Sequence, residues 1–372
     1  MFGFQSFYAI FFVFLVFFVL TLKGTVKSRK GYCIWCFMLL FLMAGLRGDT
    51  VGGDLKRYLP EFYAVANSSF SRVFEAGYHE PGYVLFIKFL GMISSDSRSF
   101  LLGTSFVSLI GPFVLFKKCS TNIAVSVLLY YAMGYYTNTF NNVRQALALS
   151  IIFCVIPFLI ERKFWKYLLG VILATTFHYS AIVMLIVYFL TDKPLNFKRW
   201  VIYAGTSFAF VSLFFFSAFQ YFAEVFLMKY DPESLLENSE GSGMGLFAVY
   251  FLIFILLSLF YWRSNKRFNN ESKSFLSLIL LFQLFAVAIQ LAAPIFHSMV
   301  RMTFFFFIPV VTLSIPFIHD LLKDKIMKSM LYFGAFFLAL LYMGYVVYAE
   351  VPIEHTNSQA TIPYVFINTE IF

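Results

Sequence analysis

Residues 143–190 read VRQALALSIIFCVIPFLI-ERK-FWKYLLGVILATTFHYSAIVMLIVYFL. Two apolar runs, Val143 to Ile160 and Phe164 to Leu190, are separated only by Glu161, Arg162 and Lys163. A helix needs roughly 20 apolar residues to cross a hydrocarbon core of about 30 Å, and similar runs recur along nearly the whole chain. Of 372 residues, 60% are hydrophobic, 22% aromatic and 13% charged, whereas soluble domains carry about a quarter charged residues. Such a chain cannot cover a water-facing surface, so lipid is its solvent. The reading is an all-α, polytopic integral membrane protein with about 10–12 transmembrane helices. It is read as a single transmembrane domain over residues 1–372, with outer loops at 47–79 and 220–244.

The net charge of +9 does not imply nucleic acid. The basic residues sit in short connectors, as the positive-inside bias demands, and no RNA or DNA module is visible. The N-terminal run Phe7 to Leu22 has no positive charge before it, and its first lysine, Lys23, follows it. It therefore reads as a retained span rather than a signal peptide. Cys33 and Cys36 form a C-x-x-C inside the apolar run Gly31 to Leu46. With no further ligands and no electropositive setting, they read as packing residues.

Orientation follows from the connectors. Lys23, Lys27, Arg29 and Lys30 place the first one inside. Gly31 to Leu46 returns to the outer face, ahead of the polar stretch Arg47 to Tyr78. Ser99 to Phe116 ends at Lys117 and Lys118, which belong inside. The apolar segment between them, Glu80 to Ser94, therefore cannot cross fully, and it reads as re-entrant or lying at the outer interface. Asn122 to Asn138 then runs outward and Val143 to Ile160 inward. The stretch Phe164 to Leu190 is flanked by Arg162, Lys163 and Lys166 on one side and Lys193, Lys198 and Arg199 on the other, so both its ends belong inside. Two half-helices of about 12 residues reach only about 18 Å each. The stretch must therefore break at depth, and the break reads as Phe177-His178-Tyr179-Ser180. Interrupted segments of this kind point to a membrane binding site. Between Trp200 and Ala349 five further runs alternate across the bilayer. No repeat of roughly 20–50 residues is visible, which weighs against an inverted-repeat transporter.

Once the orientation is drawn, the unusual polar residues gather on the outer side. Charged groups in membrane segments cost roughly 2.5–3.5 kcal/mol on insertion scales, which makes them functional candidates. The first cluster runs from Arg47 to Tyr58 and holds Asp49, Asp54 and Arg57 among Gly48, Gly52 and Gly53, glycines that allow tight turns and close approach to a ligand. A solvated loop with an Arg–Asp pair would look the same. The second cluster is Glu80-Pro81-Gly82-Tyr83. Glu80 is pushed out of helical geometry by Pro81, and Pro81 suits a first helical position, so helix capping is the simpler account of the carboxylate. A helix N-terminus would also favour its charged form and weaken it as a base. Third come Arg144 and Gln145, behind Asn141 and Asn142. Fourth are His178 and Ser180 at the break, where the alternative role for His178 is to satisfy backbone groups freed by that break. Fifth are His297 and Arg301, four apart and on one face if their stretch is α-helical. Arginine forks suit phosphate oxygens, and a carboxylate or imidazole can accept a proton from a sugar hydroxyl. The set holds no metal-ligand cluster.

Taken in order, these residues resemble the EpsG/Wzy-type family of polysaccharide polymerases. The match runs through Arg47 with Gly52, Asp54 and Tyr58, then Glu80-Pro81-Gly82-Tyr83, then Arg144-Gln145. It continues through Phe177-His178-Tyr179-Ser180-Ala181 and Arg301 to Pro363-Tyr364. The resemblance implies an all-helical glycosyltransferase of the GT-C type in a bacterial inner membrane, its site facing the periplasm. It implies undecaprenyl-diphosphate-linked oligosaccharide as substrate, membrane lipid as surroundings and no cofactor. It also implies work in O-antigen or capsule and exopolysaccharide biosynthesis beside a chain-length regulator and a flippase. Under it, Arg47, Arg144 and Arg301 hold diphosphates, and Asp54, Glu80 or His178 activates the acceptor. Arg57, Tyr58, Tyr83, Gln145 and His297 are the further substrate-binding residues. The alternatives are an O-antigen ligase-like transferase and a flippase or exporter of lipid-linked oligosaccharide. The ligase usually carries a larger outer loop, and a flippase would spread charge through the membrane depth.

The orientation is checked by cysteine labelling. An impermeant thiol reagent applied to intact cells with a permeabilised outer membrane should mark Ser68→Cys and leave Asn265→Cys unmarked. Labelling at position 265 would overturn the map.

Overall fold

The apolar runs fold as helices, and among the described residues there is no strand. The computed structural model describes residues 29–190, 194–213, 242–264, 268–292 and 297–350. The expected first span Phe7 to Leu22, most of the second outer loop and Pro363-Tyr364 lie outside those residues. Six described helices are long and apolar enough to span a membrane, and the protein is an all-α polytopic membrane protein. The chain forms two compact units. One contains Met1–Ile182 and Val311–Phe372, the other Val183–Val310.

The first unit carries α1 (Arg29–Gly45), α2 (Leu55–Asn67), α3 (Pro81–Ile93), α4 (Ser97–Cys119), α5 (Ile123–Ala132), α6 (Val143–Ile160) and α7 (Phe164–Phe177). In the second unit are α8 (Met184–Leu190), α9 (Phe197–Leu213), α10 (Ser242–Ser264) and α11 (Asn270–Ala292), and α11 packs on α9 and α10. The helix α12 (Phe304–Leu321) contributes residues to both units, and α13 (Lys325–Glu350) returns to the first, where it packs on α5.

Two expected interruptions are present. Between Glu80 and Ser94 stands the 13-residue α3, which at 1.5 Å per residue is only about 20 Å long. The stretch from Phe164 stops at Phe177, passes through an extended His178 and a 3₁₀ segment Tyr179–Val183, and resumes as α8. A third interruption differs from the expectation. The run Asn122 to Asn138, read as one outward segment, ends its helix at Ala132 and restarts as a single turn, Tyr135–Asn138. Gly134 sits between them in the left-handed region, φ 72°, and its N–H bonds back to Tyr131 O at 3.1 Å. A glycine there ends a helix, as glycines at helix C-termini commonly do.

The core of the first unit forms around α4 and α6, with α7 on the far side of α6. Gly111 on α4 lies against the backbone of Ser150 on α6, so closely that any Cβ at 111 would overlap it. The Ser150 hydroxyl donates to Val107 O and accepts from Gly111 N–H at 2.8 Å. Small residues at such a crossing let helices in lipid pack backbone to backbone. Apolar side chains left exposed, such as Trp35 and Met38 on α1, Trp165 on α7 and Phe333 on α13, suit a lipid surround. Above the crossing, α2 lays its buried stripe of Leu55, Tyr58, Leu59, Phe62 and Val65 against α3 and α4. These positions recur at three- and four-residue steps, while Lys56, Arg57 and Tyr63 face outward.

Replacing Gly111 by leucine should separate α4 from α6 and destabilise the protein by about 1–3 kcal/mol, the usual cost of overpacking. A lower melting temperature in detergent than wild type is expected. An unchanged melt would mean that the crossing is not close-packed.

Candidate functional site

The site is built where three helix ends meet. Glu80 precedes Pro81, which forbids it helical geometry, and it adopts φ −59°, ψ 143°. Its side chain makes no capping bond to α3, so the capping account expected from sequence gives way to another. The carboxylate instead turns towards α6 and α7. Oε2 is paired with Nη1 of Arg144 at the start of α6. Oε1 lies 3.1 Å from Nδ1 of His178 and accepts the backbone N–H of Tyr179 at 3.4 Å.

Gly82 permits this approach. A Cβ there would lie 2.8 Å from Thr176 Cβ and 2.9 Å from Thr176 O, so only glycine lets the first turn of α3 run along the last turn of α7. His178 closes that turn, its N–H bonding Ala174 O at 3.0 Å. Among the described residues its imidazole bonds no backbone group. Tyr179 N–H, freed by the break, is taken by Glu80, and His178 O accepts from Ala181 N–H at 3.0 Å.

Glu80 is only 4% exposed, while the Arg144 and His178 side chains keep 23% and 25% of their surface. Burial raises the Glu80 carboxyl. The hydrogen bond from His178 and the charge and hydrogen bond of Arg144 outweigh it and bring the carboxyl down to about 2. An ionised carboxylate only accepts, so Nδ1 of His178 must carry the hydrogen. Nε2 then has no protein partner among the described residues, and in the neutral ring it is a proton acceptor. The Nε of Arg144 is buried without a hydrogen-bond partner among the described residues.

The other candidates are placed elsewhere. Arg47 is 1% exposed, and its guanidinium donates to Ala44 O, to Val51 O at 3.2 Å and to Ser105 Oγ at 3.0 Å, with its carbon 4.5 Å from the centre of the Phe140 ring. With Arg98, which donates to Gly45 O and Arg47 O at 2.8 Å, it satisfies the carbonyl end of α1. The expected close approach of Gly52 is made to Phe140 O rather than to open space. Asp54 precedes α2 without capping it and makes no hydrogen bond to Glu80, Arg144 or His178. Arg57 is exposed, Gln145 is buried beside Arg144, and Tyr83 lies in the core with its hydroxyl unpartnered among the described residues. In the second unit, His297 and Arg301 fall in a 3₁₀ helix, His297–Thr303, where Arg301 is exposed. Residues three apart eclipse in that geometry, so a spacing of four no longer marks a shared face.

One pair escaped the sequence reading. Glu61 is buried on α2 and holds His79. The available signal was its register, for Glu61 stands three residues after Tyr58 and four before Val65, in phase with the buried stripe.

The fold and site define a multi-pass, all-helical membrane protein with a carboxylate–guanidinium–imidazole centre at the junction of short apolar helices. The chain belongs to the EpsG family, which it matches over residues 30–366. It is 29% identical over 173 residues to the amylovoran biosynthesis protein AmsC of Erwinia amylovora, an alignment covering 45% of this chain and 46% of that protein. No solved structure matches.

The centre makes stability depend on pH. The folded Glu80 value lies below its ordinary 4.5, so its contribution is complete above that pH and fades as the pH falls towards about 2. Melting curves in detergent should show wild type losing more stability than Glu80→Gln between about pH 5 and about pH 3. Parallel curves would mean that the carboxylate is not held ionised.

Proposed function

We propose that this chain is a polysaccharide polymerase. In this reading it transfers a glycan from an undecaprenyl-diphosphate carrier to a hydroxyl of a lipid-linked repeat unit. The convergence of Glu80, Arg144 and His178 carries the reading. The acceptor hydroxyl gives its proton to Nε2 of His178, and its oxygen bonds the anomeric carbon of the donor sugar. The bond from that carbon to the diphosphate oxygen breaks, and the electron pair leaves on the diphosphate. Glu80 holds the imidazole through Nδ1 with the ring turned for this task, as a carboxylate does for a general base. Both of its own oxygens are engaged, by Arg144 and by His178, so Glu80 is assigned the orienting role and not that of the base. Arg144, whose side chain keeps 23% of its surface, offers its guanidinium to a phosphate oxygen, whose developing charge a preorganised cation stabilises. Because the donor already carries a diphosphate, neither a nucleotide sugar nor a cofactor enters.

A periplasmic site in an inner membrane fits the charge pattern. Arg162 and Lys163 follow the end of α6 remote from Arg144, which belongs inside under the positive-inside rule. Rising from that side, the 14-residue α7 climbs about 21 Å before His178 and the 18-residue α6 about 27 Å. The centre then lies towards the outer face, below its surface. A family likeness to an amylovoran biosynthesis protein fits polymer synthesis, with a flippase upstream and a chain-length regulator beside it.

Protein in lipid nanodiscs, given lipid-linked repeat units purified from a strain lacking this gene and no nucleotide sugar or divalent metal, should yield a ladder of lengthening glycans. Arg144→Lys, which keeps charge but loses the fork, should slow it by about tenfold or more, and Arg144→Ala further. His178→Gln should lower the rate by about a hundredfold or more, the usual range for a lost general base. A ladder unaltered in His178→Gln would remove the imidazole from the chemistry. Absence of any ladder with wild type would overturn the polymerase reading.

A further inference from the structure

A second carboxylate–imidazole pair stands beside the centre, and the proposed reaction does not use it. Glu61 lies on the core face of α2 with its side chain wholly inaccessible. Its Oε1 accepts the backbone N–H of Tyr78 at 3.0 Å and of His79 at 3.2 Å, and its Oε2 is paired with His79 Nδ1. A buried carboxylate persists only when its lone pairs are filled. Here three donors fill them, all from the two residues that precede Glu80. Both donors of His79 close on one carboxylate, which fixes the backbone of the residue that aims Glu80. Since the Glu80 side chain makes no bond to its own helix, its direction depends on this anchorage.

The same helix also meets the His79 ring. Tyr58, three residues before Glu61 and on the same face, sets its ring 5.9 Å from that of His79. Thus α2 holds His79 by its ring and by both of its donors, and with it the backbone that aims Glu80. We propose that Glu61 and His79 are positioning residues, a clamp from α2 that sets the reach of Glu80 to Arg144 and His178. The activity readout rests on the polymerase reading.

Two arrangements separate this role from others. If His79 works through Nδ1, His79→Asn keeps a donor near that position, and the rate per monodisperse protein should stay within about threefold of wild type, whereas His79→Gln should lose about tenfold, since misplacement by about 1 Å is costly to catalysis. If His79 instead touched substrate through Nε2, glutamine would outperform asparagine, and that order would overturn the proposal. Second, Glu61→Gln should lower the rate about tenfold in the wild-type background but less than about twofold in Glu80→Gln, because residues acting through one another are not additive. A Glu61 effect of equal size in both backgrounds would mean a general packing role and would also overturn the proposal. Rates are taken per monodisperse protein, so loss of folding does not mimic either result. Should wild type fail to polymerise, the polymerase reading falls, and the ranking is then scored on binding of the same lipid-linked units.

Discussion

The pairing of one buried carboxylate with a guanidinium and an imidazole is the constraint around which the first unit is arranged. Glu80 is nearly inaccessible, and an ion in such a place is tolerable only with its partners in position. Breaking a buried pair by removing one partner costs about 3–5 kcal/mol. The partners come from different helices, Arg144 from the first turn of α6 and His178 from the end of α7. For both to reach one carboxylate, α7 must stop partway and α3 must begin there. The shortness of these helices, odd in a protein that spans a bilayer, follows from this requirement.

The surrounding fold holds the meeting point steady. Gly111 and Ser150 fix how α6 lies on α4, and thus where Arg144 emerges. Gly82 fixes how α3 lies on α7. The stripe of α2 closes over the junction with Phe62 and Val65 in the core and Tyr58 against the rings of His79 and Tyr83. Arg47, by contrast, gives its donors to Ala44 O at the end of α1, to Val51 O in the following loop and to Ser105 Oγ on α4. A single arginine in a polar, glycine-rich loop can serve either as an anion site or as a cap for carbonyls, and loop composition does not distinguish these uses.

Much of this was legible in the sequence. The interruption at His178 followed from counting residues against bilayer thickness, with basic residues at both ends of the stretch. That the segment after Glu80 is a short helix fits the reading from the lysines after α4. These inferences rest on length and charge, which lipid enforces strictly. What the sequence did not disclose was direction and pairing. Glu80 before a proline looks like a cap until α7 is seen lying against Gly82. Glu61 looks like one more carboxylate on a polar loop until its register on α2 is drawn. His297 and Arg301 share a face only in an α-helix, and the segment winds as a 3₁₀ helix instead. Each of these depends on neighbours distant in the chain, or on a choice between helical periods that a few residues do not decide.

The break itself bears on what His178 is for. A helix interrupted within lipid exposes backbone groups that need partners, and a histidine at such a place could exist simply to supply them. Three of the N–H and C=O groups at the break are paired without the imidazole. His178 N–H continues the α7 ladder to Ala174, Ala181 N–H returns to His178 O, and Tyr179 N–H goes to the Glu80 carboxylate. Among the described residues the one bond of the imidazole is to Glu80, which already has the charge of Arg144 beside it. A ring that no backbone group requires, oriented by a carboxylate with its second nitrogen open, is what accepting a proton from a hydroxyl demands. Glu80 therefore has three contacts at once, as counter-ion to Arg144, as backbone partner at the break and as partner of the His178 ring, and under the proposed polymerase reading this one side chain links helix geometry to chemistry.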